Sequence, residues 1–141
     1  FDMLGLHDRV VRAALAANNG REVKHTGDGI MAAFHSAASA VRCGMTVQQN
    51  ICQQRDANPN APLRVRIGIA AGEPIEHHND LFGSTVQLAA RLCARAEPEQ
   101  ILVSNTVAEL CIGKSLPWRD GGQVELKGFD QPVRAHCIVF A

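Results

Sequence analysis

The sequence predicts an α+β fold, a mainly antiparallel sheet packed by helices. Three observations predict it. Apolar residues recur at near-helical spacing in residues 1–17, with Leu4, Leu6, Val10, Val11, Ala14 and Leu15 in step. A Gly-Asp-Gly turn in "KHTGDGIMAAF" separates two strand-like runs. The stretch "LRVRIGIAA", residues 63–71, alternates Leu63, Val65, Ile67 and Ile69 as a half-buried strand does.

Taken in order, the first helix ends at Asn18-Asn19-Gly20, residues that tolerate the left-handed backbone. Residues 21–26 and 30–34 form a hairpin about Gly27-Asp28-Gly29. Ser36 caps a long helix that runs to about residue 55, and residues 56–62, with two prolines and two asparagines, form a loop. The strand at 63–71 turns at Gly72, and residues 73–77 return as its partner. A helix over 83–96, a strand over 100–104, a short helix capped by Asn105, and strands over 123–127 and 133–140 complete the chain. No repeat or low-complexity tract interrupts this order.

With 141 residues, of which 46% are apolar and 20% charged, the chain suits one globular domain with a real core. Lys plus Arg and Asp plus Glu both number 14, so no basic excess points to nucleic acid or to an anionic membrane surface. Five widely spaced cysteines make neither a disulfide framework nor a zinc site, and are expected to be buried free thiols of a cytoplasmic protein. No apolar run reaches the about 18 residues of a membrane span, and no signal peptide is expected. The chain opens on Phe1 rather than Met, so it is expected to be a piece of a longer protein.

Three polar constellations carry the functional reading. At the hairpin tip, Asp28 stands between two glycines, with Lys24 leading into the turn. Ordinary Asp-Gly turn chemistry explains this. The alternative is a carboxylate left unshielded for a hard cation such as Mg²⁺. In "DLFGSTVQLAARL", residues 80–92, a helical wheel puts Val86, Ala89, Ala90 and Cys93 on one face and Gln87 with Arg91 on another. Leu88 and Leu92 fall on a third side, so this helix is either deeply buried or meets a second subunit at a polar pocket. In "VELKGFDQPV", Lys127 ends a strand and is either a loop lysine or a mobile charge aimed at phosphate. The pair His77-His78 is not read as a metal site, because neighbours in a strand point to opposite faces.

In their order, "GREVKHTGDGIMAAF", "LRVRIGIAAGEPI", "DLFGSTVQLAARL", "PEQILVSNTVAEL" and "VELKGFDQPV" resemble the class III adenylate/guanylate cyclase catalytic domain, from about residue 20 to residue 141. The resemblance implies a ferredoxin-like cyclase fold for residues 1–141, lacking its N-terminal strand. It implies a homodimer with active sites in the cleft between the two domains, converting ATP to 3′,5′-cyclic AMP and pyrophosphate. Regulatory domains would sit elsewhere on the parent chain. By the same resemblance Asp28 is one of two aspartates that bind a Mg²⁺ or Mn²⁺ pair. Lys24 and Asp80 select adenine, Arg91 steadies charge on the α-phosphate, and Lys127 grips the terminal phosphates. Asp28 would come from one subunit and the others from its partner.

Two departures qualify what the resemblance implies. The family's other metal aspartate lies in an Asp-Ile/Val-x-Gly-Phe-Thr stretch upstream, and Asp2 and Asp8 stand in the wrong context to replace it. The fragment is therefore expected to be inactive, and the absent strand to leave sheet edges bare. Gln87 stands where the family has an asparagine that orients the ribose. A catalytically degenerate cyclase homology domain, binding nucleotide or dimerising to regulate its neighbours, is the alternative. A generic ferredoxin-like interaction domain is a third.

Overall fold

A computed structural model of the chain describes residues 2–27, 29–60 and 62–139. They fall into two compact units, residues 1–65 and 66–141. The first holds helix α1 (Met3–Ala17), strands β1 (Arg21–His25) and β2 (Ile30–Ala33), and helix α2 (Ala37–Ala57). The second holds β3 (Ile67–Ile69), β4 (Ile75–His77), β5 (Asp80–Phe82), helix α3 (Ser84–Arg95), β6 (Ile101–Ser104), helix α4 (Asn105–Leu110), β7 (Trp118–Val124) and β8 (Val133–Ile138). The predicted α+β class is what the chain adopts.

In the first unit Asp2 caps α1, its carboxylate accepting from Gly5 N at 3.0 Å. The helix stops where expected: Asn19 takes φ +60°, and Gly20 N donates back to Leu15 O at 2.9 Å, the six-to-one bond of a Schellman ending. Ser36 caps α2, accepting from Ser39 N at 3.2 Å. Leu6, Val10, Ala14 and Leu15 of α1 are buried, as are Val41, Val47 and Ile51 of α2, the apolar stripes along which the two helices pack.

Two polar clamps tie α1 to β1. Arg12 donates to both carboxylate oxygens of Glu22, at 2.8 and 3.2 Å. One helical turn away, Asp8 accepts from His25 Nε2 at 3.0 Å. The Arg12 hydrogen bond holds the Glu22 carboxyl below its ordinary range. A lowered carboxyl contributes stability above its unfolded pKa and loses it as pH falls through the folded value. The gap in urea midpoint between wild type and Glu22→Gln, present at neutral pH, is therefore expected to close below about pH 4. A gap that persists unchanged at pH 3 would contradict the clamp.

The strand predicted over 63–71 forms only at Ile67–Ile69. The reason lies in α2: Gln48 Nε2 donates to Val65 O at 2.9 Å and Arg55 to Leu63 O at 3.1 Å, so side chains take the carbonyls a ladder needs. The predicted return strand also pairs differently. β3 lies parallel to β6, and β4 pairs instead with β5. Pro74, just before β4, has no N–H to give to a hairpin ladder with β3.

The main sheet has the order β3-β6-β8-β7, with β3–β6 parallel and the other pairs antiparallel. All four residues of β6 are buried, as its position between β3 and β8 and its continuous "ILV" run require. The strand expected over 123–127 begins and ends earlier, at 118–124, while the last begins at 133 as expected and ends at 138, Phe140 lying outside the described residues; residues 125–132 form the loop between them. Asn105 is the first residue of α4 rather than its cap. Ser104 caps the helix, accepting from Val107 N at 3.4 Å. Asn105 accepts from His136 Nε2 at 2.8 Å instead.

α3 corrects the helical-wheel reading. Leu92 is fully buried, and with Ala96, Leu102, Val124, Leu126, Ala135 and Cys137 it forms the core, against which Leu88 packs. Ala90, placed in the predicted core stripe, is exposed. The Leu88/Leu92 side faces the sheet rather than a partner subunit, because only there can the larger side chains leave water. Ala89 and Cys93 meet the sheet through their backbone: a Cβ on Gly68 would strike Ala89 O and Cys93 N, so only glycine admits so close an approach.

All five cysteines are free. Cys43, Cys111 and Cys137 are buried as predicted, but Cys52 is exposed and Cys93 half-buried. Burial pushes the Cys43 thiol up to about 11. Alkylation of the native protein near neutral pH is expected to label Cys52 first and leave Cys43, Cys111 and Cys137 untouched until unfolding. Peptide mass spectrometry checks the order.

Candidate active site

In the first unit, Lys24 stands exposed on β1, just beyond an irregularity. Glu22 pairs with Ala32 and Lys24 with Met31, leaving Val23 as the extra residue of a bulge. A bulge bends its strand and re-aims the side chains beside it. Asp28 lies outside the described residues. Its turn is closed by Thr26 N donating to Gly29 O at 2.8 Å, and Gly27 adopts φ +86°, which favours glycine.

In the second unit, Asp80 opens β5, opposite His77 of β4. The two residues between them, His78 and Asn79, have φ +50° and +62°, as a type I′ hairpin turn requires. His78 is thus a turn residue and not a strand neighbour of His77. The two rings meet edge-on, with centroids 4.0 Å apart. The sequence reading did not include this turn, for which Asn79, a residue type that tolerates positive φ, was the signal. Asp80 Oδ1 accepts from Leu81 N at 2.7 Å.

Gln87 and Arg91 are exposed on α3, one turn apart, away from the Leu88/Leu92 side. Lys127 does not end a strand. It occupies the second place of a turn in which Phe129 N donates to Leu126 O at 3.1 Å and Gly128 takes φ +87°, as a type II turn demands at its third place. Leu126 is buried in the core and Phe129 packs against it, so both ends of the turn are anchored and Lys127 is left exposed. A shallow surface depression of about 320 Å³ borders it, lined also by Phe129, Asp130 and Pro132. The second unit thus carries Asp80, Gln87, Arg91 and Lys127, and the first carries Lys24 and the Asp28 turn.

A metal site was the other expectation. Among the described residues no group of three or more His, Cys, Asp or Glu side chains could hold an ion. Mg²⁺, however, binds through one or two carboxylates, substrate phosphates and retained waters rather than in an all-protein cage. Asp28 supplies, by residue type, the oxygen-donor carboxylate that mode uses.

Comparison with known proteins bears on the whole arrangement. The model of the adenylate and guanylate cyclase catalytic domain matches residues 1–140. The chain belongs to this cyclase family. Among its relatives is the uncharacterized protein Rv2212 of Mycobacterium tuberculosis, 35% identical over 134 residues that make up 95% of this chain and 34% of that protein. The chain spans from 22% to 34% of the length of three curated relatives it matches. Among solved structures, the adenylate/guanylate cyclase/hydrolase from Silicibacter pomeroyi superposes with a TM-score of 0.88 at 35% identity, covering 97% of this chain and 81% of that one. The adenylyl cyclase CyaB from P. aeruginosa gives 0.83 at 25% identity, covering 99% and 82%. The cyclase fold expected from the motifs is therefore the fold of this chain. Among the described residues no helix of this cyclase domain is long and apolar enough to cross a membrane.

Proposed function

We propose that residues 1–141 act as one adenylate cyclase domain, converting ATP to 3′,5′-cyclic AMP and pyrophosphate as a homodimer in the cytoplasm, under regulatory domains of the parent chain. The ribose 3′-oxygen attacks the α-phosphorus and loses its proton. The bond to the bridging oxygen breaks, and pyrophosphate departs with that oxygen. Lys24 donates to adenine N1, and Asp80 accepts from the exocyclic amine. Guanine carries a donor and an acceptor in the reverse places, so the pair favours ATP. Gln87 orients the ribose through its amide, and Arg91 holds charge on the α-phosphate. Lys127, at its anchored turn, grips the terminal phosphates. Asp28 would hold one Mg²⁺ or Mn²⁺. A bound metal pair would supply activation of the 3′-hydroxyl and bracing of the leaving group.

The observation that carries this reading is the occurrence of Lys24, Asp28, Asp80, Arg91 and Lys127, in that order, in a chain matched by the family model over residues 1–140. The zero net charge supports partners other than nucleic acid. The chain carries no second aspartate in the family's metal context, so turnover requires an upstream segment that supplies one. One observation favours a second reading: Gln87, one methylene longer than asparagine, suits a degenerate domain that binds nucleotide without cyclising it.

The test joins the chain to its natural upstream segment and measures cyclic AMP from Mn²⁺-ATP and Mg²⁺-ATP beside an Asp28→Ala control. The expected result is product from ATP well above the control, little from GTP, and none from the chain alone. Product no greater than the control overturns the enzyme reading. ATP binding by calorimetry without product would then establish the degenerate one.

A further inference from the structure

α3 exposes Gln87 and Arg91 on one side, and its opposite side rides on two glycines. Thr85, Ala89 and Cys93 are spaced four apart and form one ridge of the helix. Gln87 and Arg91 follow Thr85 and Ala89 by two residues, a rotation of about 200°, so they lie across the helix axis from that ridge. A Cβ on Gly68 would strike Ala89 O and Cys93 N, both backbone atoms. A Cβ on Gly72 would strike the Thr85 hydroxyl, with Thr85 Cβ and Cγ2 next at 3.3 Å. Thr85 is thus seated directly on the Gly72 backbone, in the connection between β3 and β4.

The backbone of Gly72 does not itself call for glycine. Its φ lies outside the positive region, so alanine suits its conformation and Thr85 is what excludes a side chain there. The first turn of α3 has few other restraints. Gly83 before it adopts φ +119° and has no side chain with which to cap the helix. Among the described residues nothing packs within 4 Å of the Gly83 Cβ position. A first turn without a cap leaves its N–H groups unsatisfied within the helix, and helices fray at such ends. Gln87, whose N–H closes this turn onto Gly83 O at 3.1 Å, is the proposed site residue of α3 nearest that end. Arg91 stands a full turn deeper, where Leu92 and the Gly68 contact fix the helix against the sheet.

We propose that Thr85 is a positioning residue: seated on Gly72, it sets the height of the first turn of α3 and thereby the place from which Gln87 meets the ribose. This rests on the reading of Gln87 as the group that orients the ribose. Branching confines Thr85 at χ1, so a methyl group inserted at residue 72 displaces the turn rather than the side chain alone. A misplacement of about 1 Å by a change away from the chemistry costs about 10²-fold in rate.

The experiment uses the full-length protein and two readouts, cyclic AMP formation from Mn²⁺-ATP and hydrogen exchange at the Gln87 amide. Gly72→Ala is expected to lower kcat by about 10²-fold while the KM for ATP stays within about 3-fold. Adding Thr85→Ala moves the methyl from one side of the contact to the other, and kcat should return to within about 5-fold of wild type. Protection of the Gln87 amide should fall in Gly72→Ala and return in the double variant. In a Gln87→Ala background Gly72→Ala should cost less than about 3-fold, because the residue it displaces is already gone. Should Gly72→Ala fail to fold, Thr85→Ala alone serves. It frees the turn, so Gln87 exchange should quicken and kcat fall by about 3–10-fold, again with no further loss in Gln87→Ala.

An equal loss of kcat with and without Gln87, or no rescue of a folded Gly72→Ala protein by Thr85→Ala, overturns the proposal. If Gln87 exchange follows the expected order but the wild type forms no cyclic AMP, the seating of the turn by Thr85 stands and the cyclase reading fails.

Discussion

Arg91→Ala in the full-length protein is expected to lower kcat for cyclic AMP formation by roughly 10³-fold, the scale on which an arginine that meets transition-state charge contributes to phosphoryl transfer. Negative charge on the equatorial oxygens of the α-phosphate develops as the 3′-oxygen attacks, and the proposal places the guanidinium where that charge forms. The KM for ATP should move far less, because the proposal runs the ground-state contacts through Lys24, Asp80 and Lys127. Arg91→Lys should recover only part of the rate, since an ammonium cannot make the two-pronged contact of a guanidinium. Arg91 is exposed on α3, away from the buried Leu88/Leu92 side, so neither change should alter stability by more than about 0.5 kcal/mol. Steady-state rates and thermal melts together decide this. An Arg91→Ala enzyme within threefold of wild type, with its fold intact, would remove Arg91 from the site.

Leu92→Ala, one residue further along the same helix, should do the reverse. Leu92 is fully buried against Leu102, Val124, Leu126, Ala135 and Cys137. Removing its isobutyl group leaves a cavity that flanking β-strands cannot easily collapse into, at a cost of about 2–5 kcal/mol. The melting temperature should fall by roughly 10 °C or more. Leu88, only partly buried, should cost less on the same change. If Leu88→Ala instead proved the more damaging, and Leu92→Ala mild in the monomer but disruptive to assembly, the buried orientation of α3 would be wrong and the subunit-interface reading of the helical wheel would return.

These two neighbours show how legible the chain was. That residues 84–95 form a helix, and that Gln87 and Arg91 share one of its faces, follows from the 3.6-residue period alone. Which face meets the sheet does not follow, because the wheel showed apolar residues on more than one side. The packing at Gly68 and the depth of Leu92 settled it; the first depends on a strand some twenty residues earlier and the second on core residues as far along the chain as Ala135 and Cys137. Lys127 is a similar case. Its loop was plain from Gly128 and Pro132. Its presentation on a turn anchored at Leu126 and Phe129 depends on the core those two residues reach. His25 carried no sequence signal at all, since its partner Asp8 is seventeen residues away on another element and no periodicity links them.

By itself the sequence determined the α+β class, the cap at Ser36, the helix stop at Asn19-Gly20, and the ordered motifs that identify the cyclase family. Each is a local matter of backbone freedom, of hydrogen bonds made within a few residues, or of residue order. Strand partners were decided only in the tertiary structure. β3 starts only at Ile67, because α2 side chains take the carbonyls of Leu63 and Val65, and it lies parallel to β6 rather than against β4, where Pro74 offers no N–H. The buried face of α3 and the clamp between Asp8 and His25 were decided there as well. A periodic pattern states which residues share a side. The competition for burial and for hydrogen-bond partners, settled only when distant segments meet, states what that side faces.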